Sequence, residues 1–138
     1  MVERDVVTAK VATIDRCLRR ITETRAGRSI VLLPIEVEDI VVLNLQRAVQ
    51  AAIDLATHVV ATEGYALPDS VAAFFSVLEE RGVVDAPLAD RLRRMVGSCN
   101  IAIHAYQALD PRIVEAIVAG HLDDLRAFAA RVVDRFGV

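Results

Sequence analysis

The chain has 138 residues, of which 54% are hydrophobic and 25% charged, and 16 basic against 19 acidic side chains give a net charge of −3. This apolar content excludes a disordered chain, and the mildly acidic balance argues against a wholly basic nucleic-acid-binding protein. The length fits one domain over residues 1–138, with more apolar residues than so small a domain usually buries. We therefore expect a homo-oligomer interface to cover the excess apolar surface.

The apolar residues do not form a membrane span or an export signal. The longest continuous runs, such as residues 71–75, fall far short of the roughly 20 residues that a spanning helix needs. The N-terminus lacks the basic start and apolar stretch of a signal peptide. Cys17 and Cys99 lie far apart without a CxxC pair, which fits a reducing compartment. We expect a cytoplasmic protein without membrane association.

The spacing of apolar residues predicts helices from the N-terminus onward. The first helical stripe has intervals of four, three, four and three residues and consists of Val7, Val11, Ile14, Leu18 and Ile21. It ends in a turn at residues 25–29. Pro34 stands where a proline begins a helix, and the second pattern runs from there to about Thr62, before Gly64. This second helix is apolar on much of its circumference, so we expect it at the centre of a bundle.

Capping residues mark the next two helices. Asp69 or Ser70 is expected to cap the third helix, which Gly82 closes. A fourth helix begins at residues 85–87, where an aspartate and a proline again favour a helix start, and it continues past residue 100.

The C-terminal part contains a fifth helix and one further helical segment. Asp110 and Pro111 pair an expected N-cap with a proline at the first helical position. Gly120 weakens or breaks this helix before a last segment over residues 121–136. No stretch alternates with a period of two for long enough to indicate a strand. The pattern predicts an all-α fold, an antiparallel four-helix bundle with an additional short C-terminal helical element.

The sequence lacks the short signatures of most enzyme classes. Its three histidines, His58, His104 and His121, fall in separate predicted helices without Cys/His pairing, so no metal site is expected. It contains no phosphate-binding glycine loop, dinucleotide fingerprint or serine-hydrolase elbow, and we expect no cofactor. His58 and His121 have no partner at an evident spacing, and we interpret them as structural or surface residues.

One predicted helix combines polar groups suited to chemistry. Asn100 and His104 are four residues apart and share a helix face, and helical spacing extends this stripe back through Gly97 to Arg93. A titratable imidazole, an amide and a small residue that permits close approach make a plausible site. A structural contact between the asparagine and the histidine explains the same pattern and remains the alternative.

The stretch NIAIHAY at residues 100–106 closely resembles the R-N-x-x-x-H-x-Y signature of HepT-like toxins, small helical ribonucleases of the HEPN superfamily. The resemblance extends to residues 41–56, 68–82, 89–95 and 106–110, and from these separate segments we expect it to cover nearly the whole chain. It implies the toxin component of a bacterial toxin–antitoxin system. Such a toxin would be a homodimeric, metal-independent endoribonuclease acting on RNA, such as tRNA or mRNA.

The resemblance also implies roles for individual residues. His104 would be the acid–base residue and Asn100 a polar partner beside it, with the two copies of the motif meeting at the dimer interface. An imidazole can exchange a proton with a ribose hydroxyl or a leaving oxygen near neutral pH. The antitoxin would be an MntA-like minimal nucleotidyltransferase that neutralises the toxin by adenylylation (AMPylation) of Tyr106.

One position departs from the family signature. Cys99 stands five residues before His104, where the family has an arginine. That arginine would hold the scissile phosphate with a planar, charged fork, and losing such a donor costs roughly 10²–10³ in rate. Either another arginine has taken over, or the chain is a catalytically inactive helical dimer that still binds the nucleotidyltransferase, and RNA, without cleaving. The arginines that a partner subunit could bring, and the candidates for RNA binding, are Arg47, Arg91, Arg93 and Arg94. A helical interaction module unrelated to RNA is a third alternative.

Overall fold

The computed structural model describes residues 1–27, 32–104 and 111–138, and for residues 100–104 it describes the helical backbone alone. Within these residues the chain forms six α-helices and no strand. The helices are α1 (Arg4–Ala26), α2 (Pro34–Thr62), α3 (Ala73–Glu80), α4 (Ala86–His104), α5 (Pro111–Gly120) and α6 (Leu122–Phe136). None of these described helices is long and apolar enough to cross a membrane. The predicted all-α fold is confirmed.

α1 and α2 form an antiparallel pair that is joined near one end and along its length. The N-terminal ammonium donates to the carbonyl oxygen of Thr62 at 2.6 Å, and the N–H of Glu3 donates to Nε2 of His58 at 3.0 Å. Further along, Nζ of Lys10 lies 2.9 Å from Oδ2 of Asp54. As the residue numbers increase from the N-terminus into α1, the residue numbers of their partners in α2 decrease, so the two helices are antiparallel. His58 therefore has a structural role, because it holds the N-terminal residues against α2.

α2 lies at the centre of the core, as its apolar circumference predicts. It packs against α1, α3, α4 and α6. Its fully buried residues include Leu45, Ala48, Ala52, Leu55, Ala56, Val59 and Val60. The predicted stripe of α1 is buried as well, except for Val11, which is partly covered. On another side of the core the rings of Phe75 in α3 and Phe128 in α6 meet edge to face, with 5.3 Å between their centroids.

α3 is shorter than the sequence predicts. The expected cap at residues 69–70 is followed by a turn, and the helix begins only at Ala73, whose N–H donates to Oγ of Ser70 at 3.3 Å. The end of the helix agrees with the prediction. Gly82 follows it with a φ of 73°, a left-handed conformation that glycine adopts without steric cost.

The starts of α4 and α5 agree with the predicted positions. Oδ1 of Asp85 accepts a hydrogen bond from the N–H of Leu88 at 2.9 Å, which caps the free amides at the start of α4. Pro111 is the first residue of α5, and its expected cap, Asp110, lies outside the described residues. α5 ends at Gly120, so the predicted break before the last segment is confirmed.

Candidate functional site

α4 presents the residues of the motif. Regular helical geometry places positions 93, 97, 100 and 104 on one face, because successive residues turn by about 100°. His104 is the last residue of α4, and Asn100 precedes it by about one turn. The side chains of these two residues, and Tyr106 as a whole, lie outside the described part of the chain. The surroundings of α4 can therefore be followed as far as residue 99.

Gly97 lies in the middle of this face and borders open space. A Cβ atom placed on it would meet no heavy atom from another element of the described chain within 4 Å. The close approach that glycine permits is thus not used by the described residues, which leave the face uncovered at this point.

Cys99, at the position of the family's arginine, faces the core. Its side chain has no exposed surface and belongs to the buried apolar cluster of the bundle. Burial raises the pKa of the thiol to about 11, so the group is neutral at physiological pH. On a regular helix position 99 is turned by about 140° from position 104. The thiol therefore supplies neither a positive charge nor a thiolate nucleophile on the face of His104.

Arg93 is held against α3. Its Nη1 donates to Oε1 of Glu79 at 3.0 Å and to Oγ of Ser76 at 3.3 Å, and Nη2 lies 3.9 Å from Oδ1 of Asp90. The side chain is 29% exposed. The contacts with Glu79 and Ser76 join α3 to α4, so they give Arg93 a structural role.

The other three candidate arginines have different surroundings. Arg94 is 80% exposed and lies 3.2 Å from Oδ2 of Asp90, four residues earlier on the same helix. Arg91 donates from Nε to Oδ1 of Asp124 on α6 at 3.0 Å. Arg47 is exposed on α2, on a different element from the other three. The four arginines therefore differ in their partners and in their exposure.

His121 makes a contact that the sequence analysis missed. Its Nδ1 lies 3.0 Å from Oδ2 of Asp124, the same buried carboxylate that binds Arg91. The prediction that His121 has no partner is wrong, because the spacing of three residues at the start of α6 brings it to Asp124. That spacing was visible in the sequence. The link to Arg91, 33 residues away, has no signal there.

Comparisons with known proteins identify the family. The family model "Ribonuclease HepT-like" matches residues 14–132. The mRNA nuclease HepT of Shewanella oneidensis is 38% identical over 124 residues, which covers 90% of this chain and 93% of that protein. A structure of the tri-AMPylated S. oneidensis HEPN toxin in complex with MNT antitoxin matches with a TM-score of 0.81 and 36% identity, over 94% of this chain and 98% of that one. A structure of the toxin–antitoxin with AMP-PNP matches with the same values. On this similarity over nearly the full length, the chain belongs to the HepT-like ribonuclease family of HEPN toxins.

Proposed function

We propose that this chain is the toxin of a bacterial toxin–antitoxin pair, a cytoplasmic, metal-independent endoribonuclease acting on RNA. Adenylylation of Tyr106 by a nucleotidyltransferase antitoxin would neutralise it. The observation that carries the proposal is the match over 90% of the chain to the mRNA nuclease HepT, supported by the likeness to an AMPylated toxin bound to its MNT antitoxin. Residues 1–138 would form a single HepT-like domain.

His104 is the proposed acid–base residue. The ribose 2′-oxygen loses its proton as it attacks phosphorus, and the leaving 5′-oxygen gains a proton as its bond to phosphorus breaks. An imidazole can serve either transfer near neutral pH, and such catalysis typically contributes about 10²–10⁴-fold. Asn100, about one turn earlier on α4, is the polar partner on the same face.

Two copies of the chain are proposed to meet across a two-fold interface that includes the His104 face of α4. The described residues leave space beside Gly97 for a second copy. The start of α2, which lines a cavity together with the start of α5, exposes the large apolar side chains of Leu33 and Ile35, which a partner could cover. A stable interface of this kind exceeds about 1,000 Å² in total. Sedimentation at micromolar concentration should give a dimer, and a clean monomer would contradict it.

The proposal is tested by incubating the chain with its cognate nucleotidyltransferase, ATP and Mg²⁺. Mass spectrometry should find AMP on the peptide that contains Tyr106. Each added phosphodiester would neutralise the toxin by placing negative charge where the substrate phosphate must sit. The chain has two tyrosines, so Tyr106→Phe should abolish the label and Tyr65→Phe, the matched control, should retain it. AMP on another residue with Tyr106 unmodified would refute the proposal.

A second candidate function is an inactive dimer that binds the nucleotidyltransferase, and RNA, without cleaving RNA. The buried, neutral thiol of Cys99 at the position of the family's arginine favours it. An arginine at this position would have to leave the core to reach a phosphate, with its apolar stem along the bundle surface. The two candidates differ in the rate of RNA cleavage and in its response to Cys99→Arg.

A further inference from the structure

A groove between α4 and α5, here called the α4–α5 groove, encloses about 250 Å³. Its lining includes the polar side chains of Arg91, Arg94, Ser98 and His121 and the apolar side chains of Met95 and Ile117. On a regular helix positions 91, 94 and 98 are turned by about 80–140° from position 104. The groove therefore lies beside the His104 face of α4 and is separate from it.

A buried carboxylate fixes two of the basic side chains. Asp124 is 8% exposed, accepts a hydrogen bond from Nε of Arg91 at 3.0 Å and lies 3.0 Å from Nδ1 of His121. Because these contacts use Nε and Nδ1, the two Nη groups of Arg91 and Nε2 of His121 remain to meet another molecule. Among the described residues no hydrogen bond from these Nη groups is formed. The groove thus presents donors whose orientation is set before any ligand arrives.

The acidic groups nearby leave the arginines available to an anion. Asp124 is engaged by both of its oxygens. Asp90 pairs with Arg94, and their side chains are 49% and 80% exposed, so the contact is well hydrated and contributes little. A phosphate, which matches the planar fork of arginine, can therefore replace Asp90 as the partner of Arg94.

We propose that the α4–α5 groove binds a backbone phosphate of the RNA strand, away from the bond that is cut at His104. Arg91 and Arg94 are its ligands, and Asp124 is a positioning residue that acts through Arg91. Ile113, which also lines the groove and is 38% exposed, supplies apolar surface against which a ribose or base can pack. The inference rests on the proposed function, because it takes RNA as the ligand. Positions 94 and 104 are about 15 Å apart along the helix axis, a distance that a short strand can span.

The test is the binding of a fluorescein-labelled single-stranded RNA of 12 nucleotides, measured by anisotropy at several salt concentrations. All variants carry His104→Ala to prevent cleavage. Each phosphate contact contributes about 0.7 to the slope of log affinity against log salt for a single strand. Arg94→Gln should weaken binding and make the slope shallower by about 0.7, and adding Arg91→Gln should make it shallower by a similar amount again.

Arg19→Gln is the matched control. Arg19 on α1 is also exposed and also pairs with an aspartate four residues earlier, Asp15, but it does not line the groove. The Arg19→Gln substitution removes the same charge as Arg94→Gln, and the salt slope should stay at the value of the His104→Ala parent. An equal change of slope in Arg19→Gln and Arg94→Gln would show that RNA senses only the net charge of the protein, and would overturn the proposal.

The positioning role of Asp124 is tested through its coupling to Arg91. Asp124→Asn should weaken RNA binding when Arg91 is present and have a much smaller effect in the Arg91→Gln variant, where His121 alone is left for Asp124 to position. A merely structural loss would reduce affinity by the same factor in both backgrounds and would contradict the positioning role. Circular dichroism checks that each variant is folded, and the arginine variants test the groove even if Asp124→Asn does not fold.

The remaining outcomes separate this inference from the proposed function. If the chain binds and cleaves RNA while the groove variants keep the parent slope, the groove inference fails and the proposed function stands. If the chain binds no RNA even at low salt, both fail. Groove variants that keep RNA binding but lose inorganic phosphate or the antitoxin would assign the groove to that ligand and overturn the proposal.

Discussion

The two sides of α4 differ in what neighbouring helices do with its arginines. On the side of α3, Arg93 donates to Glu79 and joins the two helices. On the side of α5 and α6, Asp124 holds Arg91 by one nitrogen, and the α4–α5 groove beside it stays open. Arg91, Arg93 and Arg94 lie within four residues of one another but thus differ in how available they are to a ligand. A run of basic residues does not reveal which arginine joins two helices and which is available to a ligand. Side chains from distant elements decide this.

The largest expected difference is between the core beneath α3 and the α4–α5 groove. Phe75→Ala removes a fully buried ring of α3 that packs on Phe128 of α6, and should lower the free energy of unfolding by about 3–5 kcal/mol. Ile113→Ala, on the groove side, removes a side chain that is 38% exposed and should cost less than about 2 kcal/mol. Urea denaturation of both variants measures the difference. Equal losses would show that the groove side is packed as tightly as the other.

The inward face of α4 gives a pH-dependent test. Burial raises the pKa of Cys99 from 9.0 to about 11, so between these values the unfolded chain loses a proton that the folded chain keeps. This contribution to stability is fully present below pH 9 and should fall by on the order of 2 kcal/mol as the pH rises to 11. Cys99→Ala should flatten that fall, measured by urea denaturation at each pH. Cys17→Ala, which removes the other buried thiol, should keep most of it. An unchanged fall in Cys99→Ala would place its cause elsewhere.

The smallest effect distinguishes the two adjacent arginines directly. Arg93→Gln breaks hydrogen bonds to Glu79 and Ser76 and should cost about 1 kcal/mol of stability, reduced from the value for a buried charge because the side chain is partly exposed. Arg94→Gln breaks an exposed pair and should change stability by less than about 0.5 kcal/mol. Thermal and urea unfolding of the two variants provide the comparison. A greater loss in Arg94→Gln would reverse the assignment of structural and available sides.

Much of the fold is predictable because the signals that define it are local. Helical periodicity, Pro34 and Pro111 at helix starts, and glycines after helix ends require only neighbouring residues, and these features agree with the structure. The start of α3 is the exception. The sequence around Ser70 favours a cap, but the chain forms a turn there and the helix begins three residues later, at Ala73.

The candidate site is only partly predictable, because its contacts join distant elements. The shared face of Asn100 and His104 follows from helical spacing alone. The binding of Arg93 to α3 and the meeting of Arg91 with Asp124 depend on how the helices pack, across 14 and 33 residues of sequence. The burial of Cys99 has the same origin, since the apolar neighbours that cover it come from the whole bundle.

The proposal with the widest consequence is that the thiol at position 99 limits the ribonuclease activity of this HepT-like chain. The most direct measurement is the initial rate of cleavage of single-stranded RNA by the native chain and by Cys99→Arg, normalised to the folded fraction from circular dichroism. We predict a rate at least about 10²-fold higher with the arginine, a smaller gain with Cys99→Lys, and loss of the gain when His104→Ala is added. Rapid cleavage by the native chain, with no change in Cys99→Arg, would contradict the claim and show that another arginine holds the phosphate.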